Sequence, residues 1–266
     1  MQKAFEDYTN MLLEATRYSG GNQQTGESKT FSASMLGSPL LQNYYRVKYG
    51  SQEQTIPGAN TLGSIYQLGV DQAALLWNSK NAQQYVNAMR LQYMLDNEWI
   101  VSGEIDQYDK LNNVIFDNKL VTDTIAKKIK QEGKWHPYAL QLGVYKWLMM
   151  KNDYVKKEPA CVLAIGNKTF SHYKKNNLNP VDFIELETHS LEDIEGLLYD
   201  KTNELDEYLN NDLVPQQPPI NDLMPYKRKG QARVTRMRCE YYCDYKGVCK
   251  YYKTDDSINS FINKLL

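Results

Sequence analysis

The chain has 266 residues with a hydrophobic fraction of 42%, enough for one sizeable core and too apolar for a disordered protein. A formal net charge of −1 excludes a surface coated in positive charge, so any contact with a polyanion must come from a local patch. No apolar run approaches the roughly 18 residues of a membrane span, no secretion signal opens the sequence, and four cysteines make no disulfide scaffold, which together predict a cytoplasmic protein without a membrane partner.

In chain order, residues 1–18 place apolar and aromatic side chains at helical spacing, and the turn formers of GGNQQTGES end the pattern. The stretches 31–49, 60–78 and 81–95 carry the same periodicity, so the first third is expected to be helical. The texture changes at Glu98. WIVSGEIDQY and VIFDNKLV are rich in β-branched and aromatic residues and flank the turn-like DKLNN, which predicts a hairpin. A helix is expected from about Pro137 to Lys151, where Leu140, Val144, Tyr145 and Leu148 share one side and proline suits a first turn. Strands at 159–166 and 181–187 and a helix at about 190–211 follow.

The Pro-rich LVPQQPPINDLMP is expected to be an extended linker. Beyond it, Lys227, Arg228, Lys229, Arg233, Arg236 and Arg238 occur with no acidic residue among them. Such a run standing alone is a solvated tail; the other reading is a local contact for nucleic-acid phosphates. Cys239, Cys243 and Cys249 crowd together at a spacing suited to a metal or cluster, and Tyr241, Tyr242, Tyr245, Tyr251 and Tyr252 around them could stack on bases. Cys161, in the apolar PACVLAIG, is expected to be a buried inert thiol. His136, His172 and His189 lack partners at metal-ligand spacing and are expected at the surface or as helix caps.

The hairpin carries the chemistry. If its strands pair about a turn centred on Leu111 and Asn112, Asp106 falls opposite Asp117 and Glu104 opposite Lys119, all on one face. The other face then carries Trp99, Val101, Ile105, Phe116 and Leu120 as a core surface. Two carboxylates directly opposed across a sheet repel unless something neutralises them, and a divalent cation with oxygen ligands is the natural candidate. Lys119 lies on the same face, where an ammonium could orient a water or stabilise charge on a phosphate. A surface hairpin with a Glu104–Lys119 ion pair and two solvated aspartates would show the same letters.

Further weight comes from HPYALQLGVYKWL, which puts Gln141 and Tyr145 on one helix face. In the order GEID, FDNK and QLGVY, the sequence resembles the motifs of RecB-like nucleases of the PD-(D/E)XK superfamily. FSASMLGSPLLQNYYRVKYG is similar to that family's opening segment, and NTLGSIYQLGVDQA to the helix that presents a histidine to its metal. CEYYCDYKGVCKYY is similar to the Cys-rich end of cluster-bearing members, CRISPR adaptation nucleases and helicase-nuclease subunits among them. The resemblance spans residues 31–253.

It implies an α/β restriction-endonuclease-like core, a central mixed sheet flanked by helices, over residues 31–213. An N-terminal helix and loop at 1–30 would precede it, and a linker, basic patch and Cys-bearing segment at 214–266 would pack back on it. The implied activity is metal-dependent hydrolysis of DNA phosphodiesters, as an exonuclease in recombination or repair of the kind phages encode, with a recombination or annealing protein as partner. Asp106 and Asp117 would hold Mg²⁺ or Mn²⁺, Lys119 would assist the nucleophile, and Gln141 and Tyr145 would position the strand or the lysine. Two departures stand out: Gln67 replaces the family histidine, with Asp71 one turn later, and Ser38 replaces the first cluster cysteine. A four-ligand site would then need Cys161 or a non-cysteine group, so an iron-sulfur cluster, a zinc ion and a bare structural remnant all stay open. The same departures motivate a second expectation, a non-catalytic DNA-binding or assembly protein that keeps the nuclease fold.

Overall fold

The computed structural model describes residues 29–50, 57–81, 84–121, 123–167, 181–216, 223–228 and 231–236, with residues 245, 248 and 249. Of these, 29–38 and 57–204 belong to one compact unit, and 39–50 with the residues from 205 onward to a second.

The first unit contains a six-stranded mixed sheet of β1 (Thr30–Ser32), β2 (Tyr85–Met94), β3 (Ile100–Asp109), β4 (Val114–Val121), β5 (Ala160–Asn167) and β6 (Val181–Glu185). β2 lies antiparallel along one edge of β3 from Tyr85↔Asp109 to Met94↔Ile100. The opposite edge of β3 is shared. β1 pairs in parallel with Ile100–Ser102, while β4 pairs antiparallel with Gln107, Tyr108 and Asp109 only. β4 then departs from β3 and follows β5 in parallel from Val114↔Ala160 to Val121↔Asn167. The central strands therefore form a fork, and its crotch lies beside residues 103–106.

Helices α2 (Pro57–Asn78), α3 (Asp123–Glu132) and α4 (Pro137–Lys151) belong to this unit, as does most of α5 (Leu191–Asn210). α4 begins where His136 Nδ1 accepts the Tyr138 N–H at 3.2 Å and Pro137 occupies the first turn. Its side chains are apolar nearly all round, which suits a helix sunk in the core, and Leu142, Val144, Trp147 and Leu148 are fully buried. The Cys161 thiol of β5 points at the Leu142 carbonyl of α4. Gly166, five residues on, instead faces Tyr66 of α2 at 3.0 Å from a built methyl position. An odd offset along a strand reverses the face, so α4 and α2 cover opposite sides of the sheet.

In the second unit α1 (Leu40–Tyr49) buries Tyr44, Tyr45 and Val47, and Tyr245 donates its hydroxyl to the Gly50 carbonyl at 2.9 Å. Lys48 and Asp212 form an ion pair at 2.6 Å. Strands β7 (Leu223–Arg228) and β8 (Gln231–Arg236) form a two-stranded antiparallel hairpin.

The expected hairpin, α2, α4, α5, β5 and β6 all lie where the sequence places them, within a few residues. Others do not. Residues 85–94, expected as helix, form β2, because strand partners on β3 outweigh a helical spacing of apolar residues in a segment that also holds Tyr85, Val86 and Tyr93. Residues 31–49 are not one helix: β1 and a single 3₁₀ turn precede α1, which starts after Pro39. The supposed linker ends in strand β7, and Tyr245 is packed on Tyr45 instead of being free to stack on a base. The N-terminal helix expected at 1–18 lies outside the described residues. Among those described, no helix is long and apolar enough to cross a membrane.

Candidate active site

The fork explains how Asp106 is held. Once β4 leaves β3, the Asn118 N–H has no carbonyl on β3 to meet, and Asp106 Oδ2 accepts it at 2.7 Å in place of the missing backbone bond. The turn-centred register is observed at Gln107↔Phe116, Tyr108↔Ile115 and Asp109↔Val114, and the ladder stops one step short of the two aspartates. They converge across the crotch by side chain. Asp117 is fully buried, and its Oδ1 accepts a hydrogen bond from Lys119 Nζ at 2.9 Å. Its Oδ2 is 2.8 Å from the same ammonium yet has no aligned donor, an orphaned buried carboxylate oxygen.

The electrostatics follow from this crowding. Burial, then the charge of Asp117, pushes the Asp106 carboxyl up to about 7, with Asp71 adding and Lys119 and the Asn118 N–H opposing. Burial works against the Lys119 charge, but Asp117 and Asp106 overcome it and hold the ammonium well above the ordinary lysine range. Burial and then Asp117 raise the Tyr145 hydroxyl far beyond neutral pH. At pH 7 the site therefore presents a cation at Lys119 and a neutral phenol at Tyr145.

α4 supplies the cover. Gln141 donates to the Tyr145 oxygen, joining the two α4 residues expected at the site. Lys119 Nζ also lies 5.3 Å from the Tyr138 ring centre. Close approach of α4 needs Gly103, since a methyl there would lie 2.8 Å from the Tyr145 ring and 3.0 Å from Leu148. Gly103→Ala is expected to lower stability by about 1–3 kcal/mol and to displace Tyr145, checked by denaturant unfolding. Unchanged stability would mean that the ring moves freely.

α2 contributes less directly. Gln67 Nε2 donates to Asp71 Oδ1 at 3.0 Å, and Asp71 is close enough for its charge to raise Asp106. Burial, partly offset by Gln67 and reinforced by Glu104, raises the Asp71 carboxyl itself. Glu104 does not reach Lys119: it pairs with Arg90 at 2.6 Å. Nor is the expected apolar face single. Trp99, Val101 and Ile105 are fully buried, whereas Phe116 is half-buried and lines a cavity beside α2. Among the described residues no three His, Cys, Asp or Glu side chains converge, so the carboxylate pair stands with two acidic groups.

The other expected residues divide. Lys227 and Arg228 sit on β7 and Arg233 and Arg236 on β8; Lys229, Arg238, Cys239 and Cys243 lie outside the described residues. Cys249 is half-exposed and unpaired, and the Ser38 hydroxyl donates to the Ser34 carbonyl at 3.0 Å. Cys161 is a core thiol, its pKa pushed up to about 12 by burial. His136 caps α4 but is buried, as is His189, so neither is a surface residue; His172 lies outside the described residues. Sequence reasoning missed the contact of Tyr138 with Lys119 and the side-chain bond of Asp106 to Asn118, for which nothing in the letters gives a signal.

No family model matches this sequence, and no curated protein matches it. Solved structures resemble the fold. A protein known by its crystal structure as SSO0001 aligns over 93% of this chain and 98% of its own at 14% identity, with a TM-score of 0.56. A phage related exonuclease from Haemophilus somnus 129PT aligns over 66% of this chain and 81% of its own at 13% identity, with a TM-score of 0.41. At these identities the first likeness bears on the fold alone, and the second is too low to carry an argument.

Proposed function

We propose that this chain is a metal-dependent deoxyribonuclease with a PD-(D/E)XK core of the RecB-like kind, hydrolysing phosphodiester bonds at Asp106, Asp117 and Lys119. The observation that carries this reading is the convergence of two carboxylates and an ammonium in the crotch of a forked sheet. The group fits a hard divalent cation. Mg²⁺ and Mn²⁺ take one or two carboxylates and leave other positions to water and substrate. Here Asp117 Oδ2 has only the Lys119 ammonium beside it, at 2.8 Å, and burial, then the like charge of Asp117, keeps the proton on Asp106.

Asp106 and Asp117 would hold the ion, with the amide oxygen of Gln67 as a further ligand. Such an ion, when bound, supplies polarisation of the scissile phosphate and a water of lowered pKa. The chain's own contribution is placement. Lys119 keeps its proton and can donate to the attacking water or to charge gathering on the phosphate. Tyr145, held by Gln141, packs on the strand that carries Asp106. On the β7–β8 hairpin Tyr226 pairs with Arg233 and Arg228 with Gln231, and the basic residues of this run are proposed contacts for DNA phosphates. Exonuclease action in recombination or repair, phage origin and an annealing protein as partner belong to the same proposal and rest on the sequence resemblance alone.

The expected result is cleavage of end-labelled linear DNA in Mg²⁺ or Mn²⁺ and none in EDTA. Wild-type protein that binds DNA with a steep salt dependence yet is inert in both metals would favour the non-catalytic reading, which Gln67 at the histidine position motivates.

A further inference from the structure

β2 and β3 each change sides once, and at the same level. On β2, Tyr85 lines the cavity beside α2 and Asn87 Nδ2 donates to the Asp71 carbonyl of α2 at 3.3 Å. Six residues beyond Asn87, Tyr93 packs edge-on against Trp147 of α4, with ring centres 5.2 Å apart. On β3, Gly103 faces Tyr145 and Leu148 of α4, yet Gln107 lines the cavity beside α2. Residues an even number apart in a regular strand share a face, so both strands turn over between these points. The ladder shows where. It keeps one register from Tyr85↔Asp109 to Met94↔Ile100 and omits a single opposed pair, Ala88 and Asp106. Ala88 has a φ of 47°, a left-handed backbone that costs any residue but glycine and is out of place in a strand. Its side chain is exposed, so burial does not account for the strain.

We infer that Ala88 is a positioning residue for the cation site: its left-handed backbone turns β2 and β3 over together and so aims the Asp106 carboxylate across the crotch at β4. Counted from Gly103, a regular strand would send the Asp106 side chain to the α2 side of the sheet; counted from Gln107, to the α4 side. Asp117 lies on the α4 side, two residues from Ile115, which pairs with the Cys161 that points at Leu142 of α4. Without the turnover, the strand that leads in from Gly103 would leave the two aspartates on opposite sides. With it, Asp106 stands outside the ladder on both flanks, and its Oδ2 is free to take the Asn118 N–H at 2.7 Å. The purpose of the aim rests on the nuclease reading; the hold of Ala88 on Asp106 does not.

The test reads the geometry and the metal separately, in the full chain. In EDTA, amide hydrogen exchange is expected to show the Asn118 N–H protected. Ala88→Val, whose branched Cβ opposes a left-handed backbone, should straighten β2 and speed Asn118 exchange roughly tenfold relative to the core amides of β5. The same variant should bind Mn²⁺ about ten- to a hundredfold more weakly. Ala88→Gly and Ala88→Asn, which accept the left-handed backbone, should match wild type in both readings. Should Ala88→Val not fold, Ala88→Leu takes its place with the same expectation. Asn118 exchange in the folded Val or Leu variant equal to wild type overturns the assignment, whether or not DNA is cut. Loss of protection in Ala88→Gly and Ala88→Asn as well overturns it too, because the backbone conformation would then not be the cause. Faster Asn118 exchange in Ala88→Val, beside a wild type that neither binds Mn²⁺ nor cuts DNA, would sink the nuclease reading and leave the hold on Asp106 standing.

Discussion

Asp117→Asn is expected to abolish metal-dependent DNA cleavage, by on the order of a thousandfold or more, while the protein stays folded and binds DNA. The amide preserves volume in a position with no exposed surface, and Lys119 keeps Asp106 as a nearby counter-charge. Lys119→Ala should remove activity to a similar extent but for two reasons. It strips the ammonium from the site and leaves the buried Asp117 carboxylate without its ion-pair partner, a change that costs about 3–5 kcal/mol. The double variant Asp117→Asn/Lys119→Ala should therefore be more stable than Lys119→Ala alone, a non-additivity that thermal unfolding reads directly. Equal melting temperatures for the double variant and Lys119→Ala would show that the pair is solvated and not part of a buried centre. Residual cleavage in Asp117→Asn within tenfold of wild type would remove Asp117 from the chemistry.

Stability without metal should fall as pH rises from about 4 to about 7, the reverse of the usual carboxylate behaviour. An aspartate in the unfolded chain ionises near pH 4. In the folded chain burial and Asp117 hold the Asp106 proton until about pH 7. Across that window the folded state binds the extra proton, so this group's contribution is present below the unfolded value and lost through the folded one. The slope is about 1.4 kcal/mol per pH unit for this single group. A divalent cation reverses the trend, because binding needs the carboxylate ionised: affinity should climb up to tenfold per pH unit toward 7 and then level. Melting curves of wild type and Asp106→Asn in EDTA, compared from pH 4 to pH 8, isolate this term. If the two proteins show parallel profiles, Asp106 does not titrate in that window.

The parts of this fold that were legible in the sequence are those whose local chemistry and tertiary role agree. α4 is such a case, with a capping residue, proline in the first turn and apolar side chains throughout. The hairpin register was legible too, because the turn residues fix it; Asp109 accepts the N–H groups of Leu111 and Asn112 at 3.0 and 3.1 Å. β2 was not legible, since its ten residues form a strand only because β3 offers an edge along its whole length. The same long-range origin hid the fork. A hairpin drawn from its turn continues as a ladder, but β4 exchanges β3 for β5, a partner 46 residues on, and that exchange lets Asp106 bond the Asn118 N–H. The ladder that was expected to bring the two aspartates together ends just before they meet, and Asp106 reaches β4 through its side chain instead. The cavity beside α2 lies further from view still, assembled from six separate elements.

The most direct measurement is titration of the metal-free protein with Mn²⁺ at pH 8, where Asp106 is ionised, followed by the loss of the free-ion electron paramagnetic resonance signal. One site is expected in the wild type, lost in Asp106→Asn and in Asp117→Asn. Wild-type protein that leaves the free-ion signal untouched, or variants that bind as the wild type does, would contradict a cation gripped between these two strands.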